Sequence, residues 1–158
     1  MASDPFAPPK AELERKVEPT PPPRRVKQAA ALIWTAAGID LMGVLAMWAG
    51  LVTLMGVNES SAMASVTASS LVGSCFWLLL SFLMLKGRNW ARWTFAVFTG
   101  FGLVSILFLM LTLTQMPRYL STYQILSGFV HATLHTVALV LTFTREANQW
   151  FSAMRATF

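Results

Sequence analysis

Asp40, His131, His135 and Cys75 are the side chains of this sequence that combine reactive chemistry with an apolar neighbourhood. His131 and His135 stand four apart, so on a helix they share one face. Two imidazoles at that spacing can grip one transition metal, with a carboxylate or thiolate completing the set. Alternatively, Asp40 and a histidine can pass a proton, because histidine titrates near neutral pH. The bland reading, which the residue types favour, is that a buried Asp40–histidine pair only holds two helices together. Threonines such as Thr133 and Thr136 can add interhelical hydrogen bonds of about 0.6–2 kcal/mol. Cys75 taken alone reads as a small packed residue.

The elements that position these groups are apolar spans. Charged residues make up 12% of the chain, against about 25% in a soluble domain. The apolar stretches predict helices over residues 30–54, 62–85, 93–114 and 122–144. Each is long enough to cross a hydrocarbon core of about 30 Å. Helices are expected because backbone groups in lipid must be satisfied within the segment. The connections, at 58–61, 86–92 and 115–121, are short enough to make successive helices antiparallel neighbours. Counted from the cytoplasmic ends at about 1.5 Å per residue, Asp40 and Cys75 lie about 15 Å deep, His135 about 14 Å and His131 about 20 Å. Ionisable residues at such depth raise a functional hypothesis by default.

Lys and Arg set the direction. Arg24, Arg25, Lys27, Lys86, Arg88, Arg92, Arg145 and Arg155 fall on one side, against Arg118 on the other, where Glu59 is the acid. This positive-inside bias places both termini in the cytoplasm. The net charge of +5 is thereby explained by membrane orientation rather than by nucleic acid. The expected fold is an all-α integral membrane four-helix bundle. A proline-rich cytoplasmic tail over residues 1–28 is expected to be disordered, followed by the membrane domain over 29–144 and an amphipathic cytoplasmic tail over 145–158.

Several local patterns are weaker. Pro19 and Pro22 have the P-x-x-P spacing of partner ligands, but composition alone accounts for them. Ala62-Met63-Ala64 resembles a signal-peptidase site, yet the apolar run before it is too long. Asn58-Glu59-Ser60 fits the glycosylation pattern but lies almost at the membrane surface. The lone Cys75 has no cysteine partner within the chain.

Helices in lipid gain little from hydrophobic burial, so small residues mark packing faces. Ser65, Ser69 and Gly73 form one four-residue row. Gly128, Ala132 and Thr136 form another, and Ala46 with Gly50 a third. Gly100 and Gly102 are expected to serve packing. An oligomer interface would carry the same signature. Lys86, Arg88, Trp90, Arg92 and Trp93 are expected as interfacial anchors, with Tyr119 and Tyr123 near the outer surface. Trp150, Phe151, Met154 and Phe158 outline a short helix expected to lie in the cytoplasmic interface, with docking onto a partner as the alternative.

No enzyme signature is present. There is no paired-carboxylate site, no nucleophile triad and no glycine-rich phosphate loop. No cofactor is expected, and no metal is assigned. The expected partners are the lipid bilayer and another membrane protein or a second copy of the chain. The leading reading is a non-enzymatic accessory or regulatory protein. The runner-up is a small transporter or exporter component coupling protons or metal through Asp40, His131 and His135. A bacteriocin-immunity or stress-response protein fits the size without support from particular residues.

The middle loop reads Leu85-Lys86-Gly87-Arg88-Asn89-Trp90-Ala91-Arg92-Trp93. It resembles the K-G-R-x-W-A-R-W turn of small bacterial inner-membrane proteins of the YbjO family. The resemblance extends to four spans, an aspartate in the first, and a closing aromatic segment, here Phe143 to Phe151. The long proline-rich tail departs from it. What the resemblance implies is a bacterial inner-membrane location. Physically, Gly87 lets the second helix end, while Arg88 and Arg92 on one face can meet lipid phosphates or carbonyls at that helix end; topology anchoring is the preferred reading and a partner-binding loop the alternative.

Overall fold

A computed structural model describes residues 20–49, 60–115 and 122–155. The expectations for Pro19, Gly50, Asn58, Glu59, Arg118, Tyr119 and Phe158 lie outside the described residues, as do those for the sides of Ala62 and Tyr123. The described chain is helical: α1 Arg24–Trp48, α2 Ser60–Leu85, α3 Asn89–Gln115, α4 Thr122–Thr142 and α5 Arg145–Arg155. The first four are long and apolar enough to cross a membrane. α1 packs on α2 and α4, and α3 packs on the same two helices from the other side. The four helices therefore close a ring in which α1 and α3 are diagonal.

α1 begins at Arg24, within the stretch expected as tail, and ends at Trp48 rather than at residue 54. Pro23 explains the start. Its extended backbone (φ −64°, ψ 159°) sits at the helix boundary, and its carbonyl accepts from the amides of Val26 and Lys27 at 3.1 and 3.2 Å. Proline is compatible with a helix entrance because the amide it lacks would be unpaired there anyway. From there Val26, Ala29, Ala30, Ile33, Ala36 and Ala37 are all buried. They recur at helical spacing and form the face α1 turns inward. Asp40 consequently lies about 24 Å along α1 from its first residue, rather than the expected ~15 Å.

The tightest packing is concentrated at one end of the bundle. Phe95, Phe151 and Ile33 are fully enclosed there, with Leu80, Met84 and Met154 beside them. α5 is the reason. It was expected to lie in the lipid interface, but it folds back and buries Ala147, Trp150, Phe151 and Met154 against the bundle. The bend before it is braced by Asn148, whose amide group donates to the Phe143 carbonyl at 3.0 Å. Trp150 Nε1 reaches the Thr20 carbonyl at 2.9 Å, so the approach to α1 is tied to α5.

The turn between α2 and α3 is shorter than expected, with helix ending at Leu85 and resuming at Asn89. Gly87 adopts φ +77°, a left-handed conformation that glycine takes without the Cβ penalty of other residues. A Cβ there would also stand 2.8 Å from Cγ and 2.9 Å from Cβ of Met154 on α5.

Two tryptophans fasten α1 to α2. Trp34 Nε1 donates to Ser81 Oγ at 2.7 Å, and Trp48 Nε1 donates to Thr67 Oγ1 at 2.8 Å. Both hydroxyls donate in turn to carbonyls of their own helix. Elsewhere the outer faces carry exposed large apolar side chains, including Phe101, Val104, Leu107, Phe108 and Leu111 along α3. A surface of this kind suits helices surrounded by lipid.

Candidate functional site

The site forms where α1 and α4 approach closely. Ala36 and Ala37 make this possible, because their small side chains bring the α1 backbone near α4. His131 on α4 is held by its own helix. Its Nδ1 lies 2.7 Å from the Ser127 carbonyl one turn earlier, which aims the opposite edge of the ring at α1. Its Nε2 lies 3.0 Å from the Ala36 carbonyl and 3.0 Å from Asp40 Oδ1.

The chemistry of this triangle is constrained. Carbonyl oxygens only accept hydrogen bonds, so Ser127 and Ala36 are both satisfied only if His131 donates from both nitrogens. That is the imidazolium, with the Asp40 carboxylate as its counter-ion. Moving one proton across the 3.0 Å contact gives the neutral pair, in which Asp40 donates to Nε2 and the Ala36 bond is lost. The pair can thus keep zero net charge while its proton changes owner.

His135 takes a different position. It does not join the triangle. Its ring sits between Trp77 and Phe95, with centroids at 4.7 and 5.9 Å, and 6.3 Å from the His131 ring. Its Nε2 is buried without a hydrogen-bond partner.

Cys75 is exposed on the outside of α2 and does not approach the histidines. Among the described residues no three His, Cys, Asp or Glu side chains come together as a metal-binding group. The expectation of a carboxylate or thiolate completing a set with both histidines is therefore not met.

The small-residue rows are redistributed. Ser65 and Ser69 face outward, and nothing lies within 4 Å of where a Gly73 Cβ would be. Gly128 likewise has open space, while Ala132 and Thr136 are half-buried. Ala46 is half-buried along an outer groove of α1 with Thr35, Gly38 and Met42. Open space also surrounds Gly100 and Gly102, which were expected to pack. The close contacts are made instead by alanines: Ala29, Ala36, Ala91, Ala138 and Ala147. The signal was present in the sequence as a row on α1 spaced three and four apart, beginning four residues before the expected span.

Of the expected anchors, Trp90 and Trp93 are exposed, and Lys86 holds its ammonium 4.5 Å above the Phe82 ring. Arg88 is exposed as well. Arg92 is the correction. It is only 7% exposed, so it is turned away from lipid phosphates. Its Nη1 donates to Asn148 Oδ1 at 2.6 Å. Its guanidinium lies 5.0 Å from the Phe143 ring and 4.8 Å from the Phe151 ring. A guanidinium stacks on aromatic faces and is weakly hydrated, so it tolerates this enclosure better than an ammonium would.

Among the described residues, the fold and site define a helical protein with four apolar helices long enough to span a membrane and an ionisable pair between the first and the last of them. No family model, curated protein or solved structure matches it.

Proposed function

We propose that the chain is a multi-pass protein of a bacterial inner membrane, with both termini cytoplasmic, that performs no catalysis and acts by contact of its helices with another membrane protein or a second copy. The observation that carries the reading is the outward set of the small polar row on α2. Ser65 and Ser69 are exposed, and Gly73 has space around it, so this row serves no close packing inside the bundle. Small and hydroxyl-bearing residues let a second helix approach closely in lipid. The Asp40–His131 pair then acts as a clasp that keeps the presenting bundle rigid. A photo-crosslinking residue at position 69 of the full chain, in native membranes, tests this. A discrete protein adduct, weakened by Ser65→Leu, is expected. Adducts with lipid alone would refute it.

A second reading is proton-coupled transport. It is favoured by the 3.0 Å Asp40–His131 contact, which offers a proton two alternative owners within an apolar bundle. Acid-driven flux in vesicles that Asp40→Asn abolishes would support it, and flux indifferent to Asp40→Asn and His131→Phe would remove it.

A further inference from the structure

A cavity of about 130 Å³ opens between α2, α3 and α4 beside His131, bordered by Trp77, Phe98, Thr99, Gly102, Ala132 and His135. A missing side chain helps to create it. Gly102 on α3 lines it and has nothing within 4 Å of where a Cβ would be. Its walls are mainly aromatic and aliphatic, yet two polar atoms at its border have no partner: Thr99 Oγ1 and His135 Nε2.

Thr99 is the telling residue. It is only 4% exposed. Many hydroxyls elsewhere in these helices bond back to a carbonyl of their own helix, as Thr35, Thr67, Ser69, Ser81, Ser105, Thr133 and Thr142 do; the buried Ser74 Oγ, away from the cavity lining, does not. Thr99 makes no such bond. A buried hydroxyl left unpaired is unfavourable, and native proteins rarely tolerate one without a purpose.

We infer that this cavity is a binding site for a small aromatic alcohol of the phenol class, drawn laterally from the membrane. The volume is close to that of an engineered apolar cavity that admits benzene, about 150 Å³. Trp77, Phe98 and His135 supply faces and edges for a ring to pack against. A hydroxyl both donates and accepts, so it is the smallest group able to serve a bare imidazole nitrogen and a threonine hydroxyl. The cavity is partly open at the bundle surface, and an uncharged aromatic alcohol partitions into the bilayer that would face it. This site stands apart from the α2 row and does not depend on the helix-contact reading.

The test is fluorine NMR of 4-fluorophenol added to the full chain in lipid nanodiscs, with empty nanodiscs as background. Saturable binding above background is expected. Gly102→Leu, which fills the space, should abolish it. Thr99→Val and His135→Phe should each weaken it about tenfold, the effect of one neutral hydrogen bond. In the unaltered protein, fluorobenzene should bind at least about tenfold more weakly than 4-fluorophenol for the same reason. Uptake no greater than in empty nanodiscs would overturn the inference. So would equal binding of fluorobenzene, which would mark an apolar void without a polar site, or binding that survives Gly102→Leu.

Discussion

His131 on α4 and Asp40 on α1 join the first and last membrane-length helices through one 3.0 Å contact between Nε2 and Oδ1. The two helices are separated by the whole of α2 and α3 in sequence. The contact closes the ring of helices between α1 and α4. Its strength is moderated because Asp40 keeps 37% of its side chain exposed.

Breaking one partner should cost more than removing both. His131→Phe leaves Asp40 facing only the α1–α4 seam, while Asp40→Leu leaves a ring donor with one acceptor fewer. The double substitution removes both needs, so the cycle should show coupling of about 1–2 kcal/mol. Reversible unfolding of the four proteins in mixed micelles measures this. Additive effects would show that the two residues do not interact.

Arg92 should resist replacement by lysine. An ammonium cannot lie flat between Phe143 and Phe151 and also reach Asn148. Arg92→Lys is expected to destabilise by about 2 kcal/mol, and Asn148→Ala by about 1–3 kcal/mol through loss of a charge-assisted bond. Both should speed proteolysis within α5. An unchanged cleavage rate would mean that Arg92 does not hold α5 in place.

Gly87→Ala combines two penalties. The left-handed backbone costs an L-residue about 1–2 kcal/mol, and the new Cβ meets Met154 at 2.8 Å. Met154→Ala in the same chain should recover the part of the steric cost due to Cγ and beyond, and leave both the contact with the residue's own Cβ at 2.9 Å and the backbone part. Thermal unfolding of the single and double variants separates them. Full recovery would argue that the backbone is not strained by alanine.

Trp150→Phe keeps an aromatic ring but removes the bond to the Thr20 carbonyl. A loss of about 1 kcal/mol is expected. Amide exchange should accelerate at the start of α1, near Val26 and Lys27, while α2 remains unaffected. Uniform acceleration across the bundle would assign Trp150 a general packing role instead.

Thr99→Val should stabilise the free protein by roughly 1 kcal/mol, because it replaces an unpaired buried hydroxyl by a methyl group of the same shape. Stabilisation by removing a polar group is unusual for a core position, and it is typical of sites kept for a function. A loss of stability would show that Thr99 already has a partner.

The four long helices could be read from apolar length alone, because a backbone in lipid has few ways to satisfy itself. The Gly87 turn could also be read, since the demand for a left-handed residue is local. Asp40 and His131 were visible as ionisable residues among apolar ones. Which histidine meets Asp40 was not visible. That depended on the relative depth and rotation at which α1 and α4 pack, which no local pattern in either helix reports. Rotation about each axis was hidden for a related reason. α2 and α3 are apolar nearly all round, so no polar face tells which side points inward. The outward turn of Ser65 and Ser69, and the exclusion of Cys75, therefore followed only from packing.

Composition and local chemistry by themselves determined the helical class, the number of apolar helices and the candidates for an intramembrane pair. Tertiary structure alone decided that Arg92 turns inward to Asn148, that α5 covers the bundle end, and that His135 is left beside a cavity while His131 binds Asp40. The physical reason is range. Hydropathy and turn preference act over a few neighbouring residues, whereas these pairings join helices distant in sequence and depend on the depth and rotation at which each helix packs.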